Sequence, residues 1–246
     1  MNAAPADQIR LLDLQAIDSK LDQLAHRRRS LPEHAEIDRA TADHTALKDL
    51  VVAAQAQLGD TEREQTKAEQ DVEQVRARSA RNQQRLDSGT GSPRDLENLQ
   101  HENESLAKRQ SDLEDVVLEV MERLDSAQTR VTELTARLDH STVVLTEAEG
   151  RRDAAFAEID AEAEKVRRDR EAVAQVIPAD LLKLYTRLRE QQGGVGAARL
   201  FQRRCEGCRV EFAAADLNAI KAEAADAVVR CENCGRILVR TSESGI

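Results

Sequence analysis

Hydrophobic residues recur every three or four positions along most of the chain. The spacing does not slip between residues 37 and 86, it is kept again from residue 96 to residue 148, and it continues more weakly to residue 173. Apolar residues that repeat every 3.5 positions form a narrow stripe, which a second helix must cover. The pattern therefore predicts two long helices that pack together as a left-handed coiled coil.

A turn between these helices is predicted at residues 88–93, where the sequence reads Ser-Gly-Thr-Gly-Ser-Pro. Gly89 suits the left-handed conformation that ends a helix. Ser92 and Asp95 form a capping box around Pro93, which fits the first position of the next helix. Because the link has only six residues, we expect an antiparallel hairpin within one chain. A coiled coil between two chains is the alternative interpretation.

Shorter helices flank the hairpin. Pro32 interrupts the first arm, and Ser30 is expected to cap the helix that follows it. The helix before this kink should pack against residues 150–173. The predicted organisation is a helical domain at residues 1–192, with its turn at 88–93, a kink near 32 and a short helix at 179–191, followed by a small second domain at residues 197–246.

The second domain carries the clearest chemical signal. Cys205 and Cys208 form one C-x-x-C motif, and Cys231 and Cys234 form another after 22 intervening residues. Two such turns supply four thiolates, which is the ligand set of tetrahedral structural zinc and leaves no open position for catalysis. Rubredoxin-like iron, disulfides and thiol redox chemistry are the alternatives. Short strands at 200–203, 210–212, 228–230 and 237–240 and a helix at 213–225 would complete a zinc ribbon.

Composition narrows the possible function classes. The chain is 33% charged and only 2% aromatic, so a single large core is not expected. The net charge of −10 disfavours broad attraction to nucleic acid or membrane. We find no membrane-spanning run, no secretory signal and no catalytic motif, so the expected protein is cytoplasmic and non-enzymatic, without a small-molecule substrate.

Arginine forms two local clusters that could contact a partner or phosphate. The first lies near the predicted hairpin tip and the second lies in the ribbon, where Arg209 and Arg236 could also offset the charge of the thiolates. Solvated arginine is the simpler interpretation of both clusters. The candidate contact residues are Arg76, Arg78, Arg81, Arg85, Arg94, Arg203, Arg204, Arg209 and Arg236.

Taken together, these motifs resemble the bacterial C4-type zinc-ribbon family with an N-terminal coiled-coil hairpin. The resemblance rests on the two cysteine motifs, on Ile177-Pro-Ala-Asp-Leu-Leu182 with Tyr185 and Arg189, on the Gly193-Gly194 break and on the residues that follow the turn. It implies zinc held by the four cysteines. One flagellar branch of this family acts as a chaperone-like partner of an alternative sigma factor and binds a flagellin message.

The fold class that we expect is mainly α, with a long antiparallel coiled-coil hairpin and a small C-terminal β zinc ribbon. The expected function is that of a zinc-binding adaptor or chaperone-like protein with one structural Zn²⁺ ion and an unidentified protein partner. Binding of RNA or DNA through the tip and the ribbon is the alternative. A monomer or a weak dimer is expected.

Overall fold

A computed structural model describes residues 1–246 and contains five helices and three strands. The elements are α1 (Pro5–Arg29), α2 (Pro32–Asp87), α3 (Pro93–Gln175), α4 (Ala179–Gln191), β1 (Ala197–Phe201), β2 (Arg204–Cys205), α5 (Ala214–Ala222) and β3 (Ile237–Val239). The chain forms two compact units, which we name the hairpin unit (residues 35–149) and the base unit (residues 1–34 with 150–246). The predicted mainly helical fold class, with its hairpin and small sheet, is confirmed.

The hairpin unit is a two-helix coiled coil formed by α2 and α3. Val51 and Ala54 on α2 pack against Leu134 on α3, and each of these side chains is less than 10% exposed. His44 Nδ1 lies 3.1 Å from Ser141 Oγ, so the residue numbers fall on one helix as they rise on the other. This ordering makes the two helices antiparallel, and the seam between them supplies the core of the unit.

The turn between α2 and α3 has the predicted chemistry. Gly89 has a φ of +62°, in the left-handed region. The Ser92 backbone N–H donates to Asp95 Oδ2 at 3.1 Å, and the Asp95 backbone N–H donates to Ser92 Oγ at 3.2 Å. These reciprocal bonds form the expected capping box and satisfy N–H groups that the first turn of a helix leaves unpaired.

In the base unit, α1 runs antiparallel to the last part of α3. Leu24 packs against Ile159 and Ala163, and Lys20 pairs with Glu162 at 2.7 Å. The predicted cap at Ser30 is wrong. Its hydroxyl donates to the His26 carbonyl at 2.9 Å and therefore serves the end of α1 rather than the start of α2.

The strands form a three-stranded sheet of order β2-β1-β3, with β1 antiparallel to β2 and parallel to β3. Strands predicted at 210–212 and 228–230 are absent, since only the isolated bridges Arg204–Glu211 and Arg230–Ile237 form there. The predicted strand 200–203 instead covers 197–201, because residues 202 and 203 have positive φ and make the turn to β2. The predicted helix 213–225 is shorter, at Ala214–Ala222.

The sheet shares one hydrophobic core with the helices of the base unit. Leu11 and Leu14 of α1, Tyr185 of α4, and Ile237 and Val239 of β3 are all fully buried in this cluster. The ribbon, which carries the cysteine site, is consequently packed against α1 and α4.

Candidate metal centre and partner surfaces

The four cysteines come together at one point of the ribbon. Their sulfur atoms all lie within 4.8 Å of one another, with 4.0 Å between the Sγ atoms of Cys205 and Cys234 and 3.9 Å between those of Cys208 and Cys231. A tetrahedral ion with Zn–S bonds of about 2.3 Å requires sulfurs separated by about 3.8 Å. The donor set and its spacing therefore fit zinc, and all four thiols are free of disulfides.

Two tight turns hold the sulfurs in place. In the first, the Arg209 N–H donates to the Cys205 carbonyl at 2.7 Å, and in the second the Gly235 N–H donates to the Cys231 carbonyl at 2.7 Å. Gly235 has a φ of +72°, and Arg209 takes the equivalent position at +63°. The two turns therefore have the same backbone conformation, with Gly235 in one and Arg209 in the other. Arginine ordinarily avoids this left-handed conformation, whereas glycine adopts it readily.

The surroundings of the thiols affect them in opposite directions. Burial raises the pKa of the Cys205 thiol to about 12 and also raises that of Cys231, while backbone N–H groups aimed at each sulfur act in the other direction. Burial would also raise the pKa of Cys234, but hydrogen bonds from the Arg236 backbone and side chain, together with those from Cys231 and Cys208, outweigh it and bring this pKa to about 7. Four thiolates buried together without a counter-charge would be unfavourable, so this pocket, lined by N–H groups, fits a bound cation.

Arg236 has a structural position between the ribbon and α4. Its Nε donates to the Val195 carbonyl at 3.0 Å, and its Nη2 donates to the Gln192 carbonyl at 2.8 Å. These two bonds join the ribbon to the segment that follows α4. The side chain is half-buried and lies close to Cys234, and its contact with a partner stays a prediction.

The three other candidate arginines of the ribbon are exposed. Arg203, Arg204 and Arg209 all lie at the surface. Gln202 and Arg203 form a two-residue turn with φ values of +44° and +67°, and their N–H groups donate to the carbonyls of Glu243 and Ser244. The C-terminal residues thus hold this turn in a left-handed conformation that favours glycine.

The arginines near the hairpin tip are partly paired with carboxylates. Arg76 bonds Glu114 at 2.6 Å, and Arg78 pairs with Glu102. Hydrogen bonds from the Ser92 hydroxyl and backbone lower the pKa of Asp95, and the charge of Arg85 acts in the same direction. Arg81 and Arg94 are exposed, with Arg81 lining a groove on the hairpin.

A buried polar cluster in the base unit was missed by sequence reasoning. Asp18 is only 2% exposed and accepts hydrogen bonds from Arg170 Nε at 2.6 Å and from the Tyr185 hydroxyl at 2.7 Å. Arg189 Nε lies 3.4 Å from the same carboxylate, and its Nη2 bonds Asp22 at 2.7 Å. One carboxylate on α1 thereby ties together α3 and α4.

Gln15 extends this cluster to the ribbon. Its Oε1 accepts a hydrogen bond from the Gly196 N–H at 2.7 Å, and its Nε2 donates to the Gly194 carbonyl at 2.9 Å. A Cβ at Gly196 would lie 2.6 Å from the Tyr185 carbonyl oxygen, so only glycine fits there. Tyr185, Arg189 and the glycine break, which carried part of the resemblance, therefore fix the ribbon to the helices.

The fold and the cysteine site define a coiled-coil hairpin protein with a C4 zinc ribbon. The CT398-like coiled coil hairpin domain matches residues 14–193, and the C4-type zinc ribbon domain matches residues 204–238. The chain belongs to this CT398-like hairpin family, and its four clustered cysteines support one structural zinc ion. The predicted family and cofactor are confirmed.

Mycobacterial proteins are among the relatives. An uncharacterized protein of Mycobacterium tuberculosis is 37% identical over 240 residues, covering 98% of each chain, and one of Mycobacterium leprae is 30% identical over 227 residues, covering 91% of this chain and 96% of the relative. A solved structure from Mycobacterium smegmatis has a TM-score of 0.87 at 35% identity, covering 98% of this chain and 100% of that one.

A more distant structure shares the fold alone. CT398 from Chlamydia trachomatis has a TM-score of 0.72 at 16% identity, covering 96% of this chain and 98% of that one. Among the helices of this chain, none combines the length and the apolar character that a membrane crossing would need. Nothing in the family assignment points to catalysis.

Proposed function

We propose that this protein is a non-enzymatic, cytoplasmic adaptor whose hairpin unit binds a partner protein and whose zinc ribbon stabilises the base unit. The observation that carries the proposal is the surface of the hairpin unit. Its two helices bury only a narrow seam against each other, while Leu50, Val52, Val116, Leu118, Met121, Val143 and Val144 are 38–60% exposed. Exposed apolar side chains on a highly charged coiled coil favour protein recognition.

The role that we propose for the ribbon is structural. Cys205, Cys208, Cys231 and Cys234 would bind one Zn²⁺ as thiolates, and a four-thiolate site leaves no position for a substrate. The metal would contribute free energy of folding to a sheet of only ten strand residues. Chelation should therefore release about one zinc per chain and expose Tyr185, whereas retention of the native Tyr185 signal after complete metal loss would refute the structural role.

Shortening the hairpin tests the adaptor role. Residues 65–78 and 107–120 are two heptads from each arm and face each other across the seam, so their joint removal keeps the register of the remaining layers. Partner proteins crosslinked in cells should fall at least fivefold relative to the full chain, while zinc content and helicity per residue stay unchanged. Equal recovery of the same partners would refute binding through the deleted part of the hairpin.

Binding of RNA or DNA through the ribbon is a second candidate, which one observation favours. Arg203 and Arg209 both occupy left-handed backbone positions where glycine would cost less, by about 1 kcal/mol each. An arginine in a conformation that favours glycine points to a use of its side chain. Replacing Arg203, Arg204 and Arg209 by alanine should weaken binding of a labelled RNA and make the slope of log K against log salt less steep by about 2–3. An unchanged slope would refute this candidate.

A further inference from the structure

The middle of the hairpin unit combines high negative charge with exposed apolar side chains. We name as the acidic belt residues 62–76 of α2 and residues 113–125 of α3. Ion pairs between Glu64 and Arg123 at 2.8 Å and between Arg76 and Glu114 at 2.6 Å join the two segments. The belt contains ten acidic and four basic residues, a net charge of −6 out of −10 for the whole chain.

Most of the positive charge in the belt is already neutralised. Arg63 pairs with Asp60, which lies just outside the belt, while Arg76 and Arg123 pair with carboxylates inside it. Carboxylates therefore dominate the potential that the belt presents to solvent.

Apolar side chains lie within this acidic surround. Leu118 is 60% exposed and Met121 is 47% exposed, and they lie one helical turn apart on the same face of α3. Leu118 borders a groove of about 300 Å³ between α2 and α3, which is lined also by Val72, Val117, Glu69 and the ion pair between Arg76 and Glu114. A flexible methionine and a leucine beside an apolar groove suit contact with an apolar side chain of a partner.

We propose that the acidic belt is the docking surface for a cationic amphipathic helix of a partner protein. A helix laid along the groove would place apolar residues at i, i+3, i+4 and i+7 against Leu118, Met121 and the groove itself. Its lysines or arginines would face Glu69 and the neighbouring carboxylates. This inference rests on the proposed adaptor function and specifies the chemistry of the partner.

Charge argues against the other occupants. A nucleic acid is repelled by a belt of net charge −6, and two belts from two copies repel each other. The hairpin tip of a second copy is also a poor match, because residues 77–109 carry six basic and five acidic residues, a net charge of only +1. A partner with several cationic residues on an apolar helix matches both the charge and the groove.

A labelled 18-residue helix of leucine and lysine, with leucine on one face, tests the docking surface on the full-length protein. The variant L118E/M121E adds two negative charges to the belt and removes its apolar centre. It should weaken peptide binding, measured by fluorescence anisotropy, at least tenfold. Purely electrostatic attraction would instead be strengthened by the added charge.

The matched control I9E/V176E adds the same charge at two apolar side chains of the base unit, which are 45% and 55% exposed. It should bind within twofold of the unmodified protein. A peptide of the same composition without an apolar face should bind at least tenfold more weakly. Binding that is equal or tighter for L118E/M121E, or equal for both peptides, would overturn the docking surface.

Crosslinking in cells separates this inference from the adaptor proposal. A photoreactive amino acid at Leu118 should capture a partner that one at Val143 does not, and the captured segment should be a cationic helix. Capture only at positions outside the belt would refute the belt and leave the adaptor function standing. Absence of protein capture at every hairpin position would refute both.

Discussion

Substitution of Asp18 by asparagine should destabilise the base unit strongly. The Asp18 carboxylate is 2% exposed and bonds Arg170 and Tyr185 at 2.6 and 2.7 Å, with Arg189 at 3.4 Å. Asparagine keeps the volume and one oxygen acceptor but leaves two guanidinium groups in a half-buried site without their counter-charge. Breaking a buried ion pair on one side costs about 3–5 kcal/mol. Because Arg170 and Arg189 retain some solvent contact, we expect about 2–3 kcal/mol.

Tyr185 makes this loss measurable at the site itself. It is the sole tyrosine, the chain has no tryptophan, and its ring is fully buried. Urea unfolding followed by tyrosine fluorescence therefore reports on the base unit, while circular dichroism reports on all helices. With a typical slope of about 2 kcal/mol per molar urea, the fluorescence midpoint should fall by roughly 1–1.5 M.

Asp22 provides the matched control for this experiment. It pairs with the same Arg189 at 2.7 Å, but its side chain is 54% exposed. An exposed ion pair contributes less than about 1 kcal/mol, so D22N should move the midpoint by well under 0.5 M. If D18N and D22N shift the fluorescence midpoint equally, the reasoning from burial is refuted.

Three further predictions concern pH, packing and the seam. Burial, followed by the bond to Asp18, raises the pKa of Tyr185 above its ordinary value of 10.0, so the free energy of unfolding that protonated Tyr185 contributes is complete below pH 10 and is lost at higher pH. Absorbance at 295 nm, which reports ionised tyrosine, should therefore rise only as helicity is lost. Ionisation before the loss of helicity would contradict this prediction. Gly196→Ala should destabilise the base unit by about 1–3 kcal/mol, because the added Cβ would meet the Tyr185 carbonyl oxygen. The control Gly150→Ala, which has open space around it, should stabilise its helix by up to about 1 kcal/mol. Equal urea midpoints for the two variants would refute the steric argument. Asn82 Nδ2 and Asn103 Oδ1 are buried without hydrogen-bond partners. Replacing both residues by leucine should therefore stabilise the seam near the tip and slow amide hydrogen exchange there. Faster exchange would contradict this prediction.

The hairpin could be predicted from the sequence because its determinants are local and repeated. Each layer of the seam follows from a spacing of three or four residues, and the turn follows from Gly89, Ser92 and Asp95 within one short segment. The cysteine site was equally visible, because each C-x-x-C motif carries its own turn geometry. In both cases the informative residues lie close together in the chain.

The buried polar cluster could not be predicted in the same way. Asp18 resembles any exposed aspartate on a charged helix, and its partners lie more than 150 residues away. One signal was available: Asp18 follows Leu11 and Leu14 at the spacing of the buried face of α1. Polar residues at such positions need buried partners, but the spacing alone does not say which ones.

Two strands of the ribbon, at 210–212 and 228–230, were predicted where the structure has none, for a different reason. Val210 and Val228 have strand propensity, yet the chain there makes only single bridges because the cysteine turns and the loop around Ala227 set the backbone. In a domain held by four thiols, turn geometry outweighs strand propensity.

The two units are stabilised by different kinds of interaction, and this difference bears on where function lies. The base unit has a nearly balanced charge, with 22 basic and 21 acidic residues, and its ordering depends on a metal site and on single long-range contacts such as those of Asp18 and Gly196. The hairpin unit has 14 basic and 25 acidic residues, a net charge of −11, and a seam whose layers repeat. Exposed changes on the hairpin should therefore cost little stability. Substitutions on a surface of this kind can change partner recognition without unfolding the protein. The acidic belt lies on the hairpin unit, which is the unit that tolerates such substitutions better.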